Sequence, residues 1–439
     1  MTILDKVGVF YEQFVVGQIS VHATGRLSFA YDARWLATDG SFPLSVTLPL
    51  VADDFEDEVI APWLANLLPE EQHLLLMSRA LGLSSSDTLA ILKEVGGDTA
   101  GAVSFGEPSV RDRWGYEALQ DHYGFGTDGE ALSRHFDDLG QRPFLVGEDG
   151  VRLSLAGGQK KTTLSVLGDD GQPKLGIPGP TDRLAIPKTG APSTVIIKPD
   201  NPRFPGIVEN EAYCHSLARL VGIPVVDCAV MVAGNRRALA VARYDRCLRR
   251  DGSVKRLHQE DLAQANGLYP GQKYERGTRP GIDLEGLLLT GNHLSSVNAL
   301  KLLDQVIFNI LVANTDAHAK NYSMIVSAGP TLAPLYDVSS VLQWNHVNQY
   351  HAQKIAGKKR KPGDTARRHW DRIATDAGLN ARQVRLRVQE LVDAMVGARG
   401  EATQSVADQA GVSTKIVQHV AELVEGNALR IAGRLRNMN

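Results

Sequence analysis

The stretch NTDAHAKN, Asn314–Asn321, directly follows the most apolar segment of the chain, VIFNILVA at Val306–Ala313. That segment belongs to a helix predicted over residues 297–313 and is far shorter than a membrane span. In the loop after it, Asp316 and Asn321 are five residues apart, so a loop can present both side chains on one concave side. A carboxylate can accept a proton from an attacking hydroxyl, and an amide oxygen can hold Mg²⁺ against phosphates. The pair indicates phosphoryl-transfer chemistry, although such spacing also arises by chance.

The residues after this loop make the interpretation more specific. Two short β runs, NYSMIV at Asn321–Val326 and TLAPLYD at Thr331–Asp337, predict a hairpin. The second run ends in Asp337, 21 residues after Asp316. By itself Asp337 is explained as a turn or capping residue. Combined with the loop before it, a second carboxylate here can bridge Mg²⁺ to phosphate oxygens, as in kinase catalytic lobes.

An apolar strand, STVIIK at Ser193–Lys198, ends in a lysine. Lys198 is either a solvated strand end or the strand lysine that holds nucleotide phosphates in kinases. An amphipathic helix is predicted at Glu209–Leu220. Glu211 on this helix is the expected ion-pair partner of Lys198, with Glu209 as the alternative.

A glycine-containing stretch, SLAGGQKK at Ser154–Lys161, lies upstream of this strand. Paired glycines let backbone N–H groups approach phosphate oxygens, and Lys160 or Lys161 adds positive charge. The stretch matches neither the Walker A pattern nor G-x-G-x-x-G. Its glycine spacing alone favours a plain hairpin turn.

The chain divides into three predicted units. Residues 1–145 form an α+β subdomain, residues 146–250 carry strands and one helix in the order of a kinase small lobe, and residues 251–439 are mostly helical. We therefore predict an α+β, two-lobed, protein-kinase-like fold. Its N-terminal lobe is mixed α/β with a small β subdomain, and its C-terminal lobe is mostly α-helical.

Local patterns add three predictions that can be checked separately. The alternating run PLSVTLPL at Pro43–Leu50 is typical of a strand. The cluster Ser84–Asp87 predicts the start of a helix that stops at Gly96. Near the C-terminus, separate helices are predicted at 380–398 and 402–424.

Bulk composition limits the class of protein. With 439 residues the chain is too long for one hydrophobic core. A net charge of -3 gives no strong overall attraction to nucleic acid or membranes. Cys214, Cys228 and Cys247 lack paired or metal-ligand spacing and indicate reduced thiols. Because the first residues lack a signal-peptide pattern, we expect a soluble, cytoplasmic protein without membrane contact.

Taken together, the motifs resemble those of HipA-type serine/threonine kinases, the toxins of bacterial type II toxin–antitoxin modules linked to growth arrest and persistence. The resemblance spans nearly the whole chain. The motifs that carry it are PLSVTLPL (Pro43–Leu50), NLLPE (Asn66–Glu70), EVGGDTAGAV (Glu94–Val103), SLAGGQKKTTL (Ser154–Leu164), VIIKP (Val195–Pro199), NEAYC (Asn210–Cys214), ALAVARYDR (Ala238–Arg246), QED (Gln259–Asp261), ANTDAHAKNYS (Ala313–Ser323) and PLYDVSS (Pro334–Ser340).

The resemblance implies a role for each motif residue. Asp316 would be the catalytic base, and Asn321 and Asp337 the Mg²⁺ ligands. Ser154 would be an autophosphorylation site, where a phosphate of about -2 charge repels ATP and pushes the loop outward. By residue type alone, His318 is also explained as a packed or capping histidine. The implied ATP contacts are Ala156, Gly157, Gly158, Gln159, Lys160, Lys161, Lys198, His318, Asn321, Tyr336 and Asp337, with the backbone of Ala242, Arg243 and Tyr244 as adenine hinge.

The resemblance also implies partners: a small helix-turn-helix antitoxin dimer, operator DNA held mainly through that antitoxin, and a protein substrate such as an aminoacyl-tRNA synthetase. The basic run Lys358, Lys359, Arg360 and Lys361 is either a solvated loop or a surface that touches DNA phosphates. Two other functions stay open. One is a catalytically silent co-repressor that keeps a nucleotide-binding fold, and the other is a small-molecule kinase.

Overall fold

The computed structural model describes residues 2–276 and 279–436, which pack around two hydrophobic cores. Residues 1, 277, 278 and 437–439 lie outside the described residues, so the start of the first predicted unit and the end of the third fall outside them. One core collects apolar side chains between Val7 and Ala240, and the other collects those between Val208 and Leu435. Antiparallel sheets dominate the first part of the chain and helices the last part. The predicted two-lobed α+β fold is thus confirmed.

The N-terminal sheet has five antiparallel strands in the order β4-β3-β2-β1-β5. Its alternating apolar residues, such as Val7 and Val9, are buried on one face. The helix after residue 87 starts and stops as predicted, because the Asp87 side chain accepts a hydrogen bond from the N–H of Ala90 and Gly96 ends the helix. The elements are β1 (Ile3–Tyr11), β2 (Phe14–His22), β3 (Leu27–Tyr31), α1 (Ala33–Leu36), β4 (Phe55–Glu56), α2 (Asp57–Ala65), α3 (Glu71–Leu81), α4 (Thr88–Val95) and β5 (Val103–Phe105).

The strand predicted at Pro43–Leu50 is wrong. Ser45 and Leu48 form one isolated bridge in a turn. The N–H of Val46 donates to the side chain of Glu260 at 2.9 Å, so a distant carboxyl group replaces the missing strand partner.

The second sheet has seven antiparallel strands, six of them in the order β11-β12-β10-β7-β9-β6. Gly115–Ala118 pairs with Arg183–Lys188 in this sheet although it precedes the boundary predicted at residue 145. The elements are β6 (Gly115–Ala118), α5 (Leu119–Tyr123), α6 (Asp128–Asp138), β7 (Thr162–Leu167), β8 (Pro173–Lys174), β9 (Arg183–Lys188), β10 (Val195–Pro199), α7 (Ile207–Leu220), β11 (Cys228–Ala233) and β12 (Arg236–Ala242).

The C-terminal lobe is mostly helical and contains the predicted hairpin after the Asn314–Asn321 loop. A third strand, Gln259–Asp261, pairs with the first strand of the hairpin, Ser323–Ile325, and completes a three-stranded sheet. The elements are β13 (Arg246–Leu248), β14 (Val254–Arg256), β15 (Gln259–Asp261), α8 (Leu262–Ala265), α9 (Leu284–Leu289), α10 (Ser296–Leu311), β16 (Ser323–Ile325), β17 (Thr331–Leu332), α11 (Arg367–Asp376), α12 (Ala381–Ala407) and α13 (Thr414–Arg436).

The break predicted between residues 398 and 402 is wrong, because α12 continues through Gly400. A glycine inside a helix costs about 1 kcal/mol relative to alanine. Burial of Met395, Ala402 and Val406 on either side offsets that cost. Among the described helices, none has the length and apolarity needed to cross a membrane.

Candidate active site

Lys198 lies near the end of β10, and Glu211 lies on α7, the helix that follows. The Nζ of Lys198 donates a hydrogen bond to Oε1 of Glu211 at 2.6 Å, and the two side chains are 9% and 4% exposed. Glu209, the alternative partner, is paired instead with Arg237. Burial lowers the pKa of Lys198, but the carboxylates of Asp337 and Glu211 outweigh this effect and raise it. The ammonium group therefore stays charged.

The same ammonium group also binds Asp337, which follows β17. Nζ of Lys198 lies 2.7 Å from Oδ1 of Asp337, whose side chain is 40% exposed. Protein groups crowd Asp337 and remove part of its solvent, which raises its pKa, but Lys198 and Lys161 outweigh this effect and hold the pKa well below its usual range. The backbone of Asp337 has a φ of 57°, a left-handed conformation that is costly for a non-glycine residue and common at functional sites. Lys198, Glu211 and Asp337 are called the cleft cluster below.

The loop after α10 brings Asp316 and Asn321 to this cluster. The side-chain amides of Asn314 and Asn321 both donate to the main-chain carbonyl of Asp337, at 3.4 and 3.5 Å. Within the loop, the N–H of His318 donates to the carbonyl of Asp316 at 2.7 Å. These bonds hold the loop against the segment after β17, so the three residues predicted for phosphoryl transfer lie in one site.

Asp316, the predicted base, lies in an environment that raises its pKa. Burial within the site and the charge of Asp337 raise its pKa to about 6. The hydroxyl of Tyr274 donates a hydrogen bond to Oδ1 of Asp316 at 2.5 Å and opposes this rise. A carboxyl group with a pKa near 6 is ionised at neutral pH and still accepts a proton readily. Tyr274 lies in the connection between α8 and α9, and no motif in the sequence predicted its contact with Asp316.

The two adjacent lysines of the loop predicted to bind phosphate place their side chains in different surroundings. Gly157 has a φ of 111°, a backbone conformation that glycine adopts without the strain it imposes on other residues. Burial lowers the pKa of Lys161 to about 8, while the Asp337 carboxylate opposes this shift. The Nζ of Lys160 donates instead to the carbonyl of Phe136. Lys161 therefore faces the cleft cluster and Lys160 does not; the other loop residues, Ala156, Gly158 and Gln159, are partly or fully exposed.

Ser154, the predicted autophosphorylation site, is buried. Its side chain donates a hydrogen bond to the carbonyl of Leu67 at 2.9 Å, and the residue is 1% exposed. Close by, the N–H of Glu70 donates to the carbonyl of Gly157 at 3.3 Å. The segment Asn66–Glu70 thus holds the phosphate loop inward, and Ser154 cannot meet a phosphate donor in this conformation.

The predicted hinge has few free backbone groups. The N–H groups of Ala242 and Arg243 donate to carbonyl oxygens of the protein at 2.8 and 3.0 Å. Within residues 2–276 and 279–436 the N–H of Tyr244 donates no such bond, so it is the one N–H of the predicted hinge that remains free there. Its ring stacks on Tyr336, with centroids 5.7 Å apart, and the Tyr336 hydroxyl donates to the carbonyl of Lys320 at 2.8 Å.

Two family sequence models match the chain. The HipA-like C-terminal domain matches residues 153–399, which is more than half of the chain, and the HipA N-terminal domain matches residues 7–106. The chain belongs to the HipA family. The resemblance carried by the motifs is thereby confirmed.

Named relatives of this HipA-family chain are kinases. The putative kinase Y4mE of Sinorhizobium fredii is 36% identical over 422 residues, covering 96% of this chain and 97% of the relative. The serine/threonine-protein kinase toxin HipA of Shewanella oneidensis is 29% identical over 355 residues, covering 78% of this chain and 76% of the relative. A chain in the solved complex of the Shewanella HipA, HipB and operator DNA matches with a TM-score of 0.80 at 25% identity, covering 97% of both chains.

The cleft of this HipA-family chain suits Mg²⁺ held together with phosphates. Asp337 is ionised and partly exposed. Asn321 donates through its Nδ2, which leaves its Oδ1 as an oxygen ligand of the kind that Mg²⁺ prefers. Groups of three or more His, Cys, Asp or Glu that could hold a metal are absent from the described part of the chain. A bound ion would therefore take its remaining ligands from phosphate oxygens and water.

Sequence reasoning missed a second charge cluster, here called the sealed cluster. Asp98 binds Arg246 at 2.8 Å and Arg256 at 2.9 Å, while Arg243 binds Asp245 at 2.7 Å. Their side chains are 0–6% exposed. The Arg243 side chain thus points into this cluster, which joins the N-terminal subdomain to the hinge.

A third group of charges, also missed, links the N-terminal subdomain to the catalytic loop. Lys273 forms an ion pair with Glu70 at 2.6 Å. Lys320 donates to Oδ1 of Asn66 at 2.6 Å and to Oδ2 of Asp261 at 3.0 Å. Both lysines bind the segment that also holds the phosphate loop.

The basic run lies on the surface, away from these groups. Lys358, Lys359 and Lys361 are exposed, and the ammonium groups of the last two lie over the Tyr350 ring at 5.9 and 5.5 Å. Arg360 donates through Nε to a main-chain carbonyl at 3.0 Å. These contacts fit a solvated loop, and the DNA contact stays a prediction.

Proposed function

We propose that this chain is an ATP- and Mg²⁺-dependent serine/threonine protein kinase that acts as the toxin of a toxin–antitoxin module. The observation that carries the proposal is the meeting of Lys198, Asp316, Asn321 and Asp337 at one cleft. Membership of the HipA family, whose named relatives are kinases, supports it.

Each residue has a task that follows from its contacts. Lys198, fixed by Glu211, binds phosphate oxygens of ATP, and Lys161 adds a second cation from the phosphate loop. Asn321 and Asp337 would hold Mg²⁺, which when bound would neutralise charge on the phosphates. Asp316 accepts the proton of the acceptor hydroxyl while the oxygen of that hydroxyl bonds to the γ-phosphorus. The bond between the γ-phosphorus and the oxygen that bridges it to the β-phosphate breaks, and ADP leaves. Such electrostatic positioning supplies about 10²–10³-fold per group.

Autophosphorylation at Ser154 is part of the proposal and requires movement. Because the hydroxyl is bonded to the Leu67 carbonyl and buried, the loop must leave this position before Ser154 accepts phosphate. A phosphate dianion cannot return to a site next to a carbonyl oxygen. The modified loop would thus remain outside and stop binding ATP.

The remaining parts of the proposal concern partners. A chain similar to this one was solved in a complex of HipA, HipB and operator DNA. We propose that this chain likewise binds a small DNA-binding antitoxin dimer, and operator DNA mainly through it. The protein substrate is proposed to be a translation factor such as an aminoacyl-tRNA synthetase, with the kinase acting in the cytoplasm.

Incubation with γ-labelled ATP and Mg²⁺ tests the central claim. We expect label on Ser154 in the wild type and none in Asp316→Asn, measured by autoradiography and peptide mass spectrometry. Absence of label in the wild type, with ATP bound, would instead support a silent co-repressor. Equal label in Asp316→Asn would remove Asp316 as the base.

A second arm distinguishes the classes of substrate. Phosphopeptide profiling after induced expression should find Ser or Thr phosphorylation on a host protein that Asp316→Asn expression lacks. Transfer to a metabolite without any new phosphopeptide would favour the small-molecule kinase.

A further inference from the structure

Tyr274 makes a direct contact with the residue assigned as the base. Its hydroxyl lies 2.5 Å from Oδ1 of Asp316. The ring packs edge-on against His318, with centroids 5.0 Å apart and planes at 84°. Burial, followed by the charge of Asp316, raises the phenol pKa, so the hydroxyl keeps its proton and acts as the donor.

The loop that carries Tyr274 is fixed on both sides of this contact. The carbonyl of Lys273 accepts a hydrogen bond from the N–H of Ala319 at 3.2 Å, inside the catalytic loop. The Lys273 side chain is paired with Glu70 at 2.6 Å, and its ammonium group lies 5.3 Å from the centre of the Tyr274 ring. The phenol is therefore held against the catalytic loop by backbone, ion pair and ring contacts together.

The other carboxylate oxygen of Asp316 stays available. A carboxylate accepts hydrogen bonds at two oxygens, and Tyr274 occupies Oδ1. Within the part of the chain that the structure describes, no hydrogen bond ends on Oδ2. The side chain of Asp316 is exposed, although the protein groups around it remove enough water to raise its pKa, so an acceptor hydroxyl can reach it.

We propose that Tyr274 is the positioning residue of the base: its hydroxyl holds Oδ1 of Asp316 so that Oδ2 faces the acceptor hydroxyl. This inference rests on the proposed kinase function. It assigns Tyr274 no contact with ATP, because Lys198, Lys161 and Asp337 serve the nucleotide. Removing the hydroxyl should therefore slow transfer and leave ATP binding unchanged.

The variant Tyr274→Phe removes one oxygen and keeps the ring contacts with His318 and Lys273. We expect kcat for label transfer to fall by about 10–100-fold, as it does when a group that orients a metal-ligating residue is removed. KM for ATP should stay at the wild-type value. Tyr269→Phe, a change at an exposed tyrosine nearby on the same connection, is the matched control and should leave kcat unchanged.

A pH profile separates this role from a general loss of structure, since its shape does not depend on the fraction of folded enzyme. The charged groups around Asp316 are Asp337 and Glu70, which raise its pKa, and Lys273, which lowers it along with the Tyr274 hydrogen bond. Loss of that bond raises the pKa above about 6. The acid limb of kcat in Tyr274→Phe should therefore move to higher pH, so the fold-loss relative to wild type should grow as the pH falls toward and below 6.

Several outcomes would overturn the inference while the kinase function stands. Tyr274→Phe could match Tyr269→Phe in kcat and pH profile, or transfer faster than wild type, which would make Tyr274 a gate in the acceptor position. Phosphotyrosine at residue 274 would make it an acceptor. A wild type that transfers no label would instead remove the proposed function itself, so the two failures are distinguishable.

Discussion

The cleft cluster and the sealed cluster contain similar groups and differ in how completely those groups are paired. In the sealed cluster both oxygens of Asp98 accept hydrogen bonds, from Arg246 and Arg256 on one and from Ser193 on the other. In the cleft cluster Asp337 gives Oδ1 to Lys198 and keeps a side chain that is 40% exposed. The difference teaches that full pairing marks a structural joint, whereas incomplete pairing marks a site with capacity left for a ligand.

Breaking the sealed cluster should have the largest effect on stability. Asp98→Asn leaves three buried guanidinium groups short of a negative charge, and arginine does not deprotonate in proteins. We expect the free energy of unfolding to fall by about 3–5 kcal/mol in denaturant titrations. Asp251→Asn, at an exposed partner of Arg111, is the control. Equal unfolding curves for the two variants would contradict the structural role of Asp98.

Breaking the cleft cluster should chiefly remove activity. Lys198→Met is expected to lower phosphate transfer by about 10²–10³-fold. Its unfolding free energy should fall less than that of Asp98→Asn, because burial already raises the pKa of Glu211, which can take up a proton. Lys188→Met, at the end of β9, serves as control. A loss of stability as large as in Asp98→Asn would erase the contrast between the clusters.

The two adjacent lysines of the phosphate loop sharpen the contrast. Lys161 faces the cleft cluster, whereas Lys160 is bonded to the carbonyl of Phe136. We expect Lys161→Met to lower kcat/KM for ATP by about 10²-fold. Lys160→Met, its matched control, should leave this ratio nearly unchanged. A larger loss of kcat/KM for ATP in Lys160→Met than in Lys161→Met would show that Lys160, and not Lys161, binds the phosphates.

Glu260 differs from both clusters, because it is a buried carboxyl group without a positively charged partner among the described residues. Burial raises its pKa to about 8, from an ordinary value of 4.5. The folded state therefore holds a proton that the unfolded state releases, and stability falls as pH rises from about 4.5 to 8, by at most about 1.4 kcal/mol per pH unit. Thermal unfolding at pH 5 and at pH 8 measures this decline. The loss of stability between the two pH values should be smaller in Glu260→Gln than in the wild type, by the contribution of Glu260. Parallel declines in both proteins would contradict it.

Local sequence patterns pointed to the residues that the structure brings together at the cleft. Asp316 and Asn321 share one loop, Asp337 ends the next hairpin, and Lys198 ends an apolar strand, so each carries a signal within a few residues. The helix after Asp87 was predictable for the same reason, because capping is a local interaction.

Residues whose role depends on a distant partner carry no such signal. Tyr274 lies 42 positions from Asp316, and Asp98 lies 148 positions from Arg246. A single tyrosine or aspartate has no periodicity to analyse. The strand predicted at Pro43–Leu50 failed similarly, since Glu260, which holds that turn, comes 214 positions after Val46.

Helix α7 has a consequence for inhibitor design. Most of its residues are buried, and α12 and α13 pack directly against it. Glu209 also accepts a hydrogen bond from the N–H of Ser413 at 3.4 Å, at the start of α13. An outward swing of α7 would have to displace this helical pair. Compounds that need such a swing would have to separate α7 from α12 and α13, so ligands that fit the cleft with Lys198 and Glu211 joined are expected to bind better.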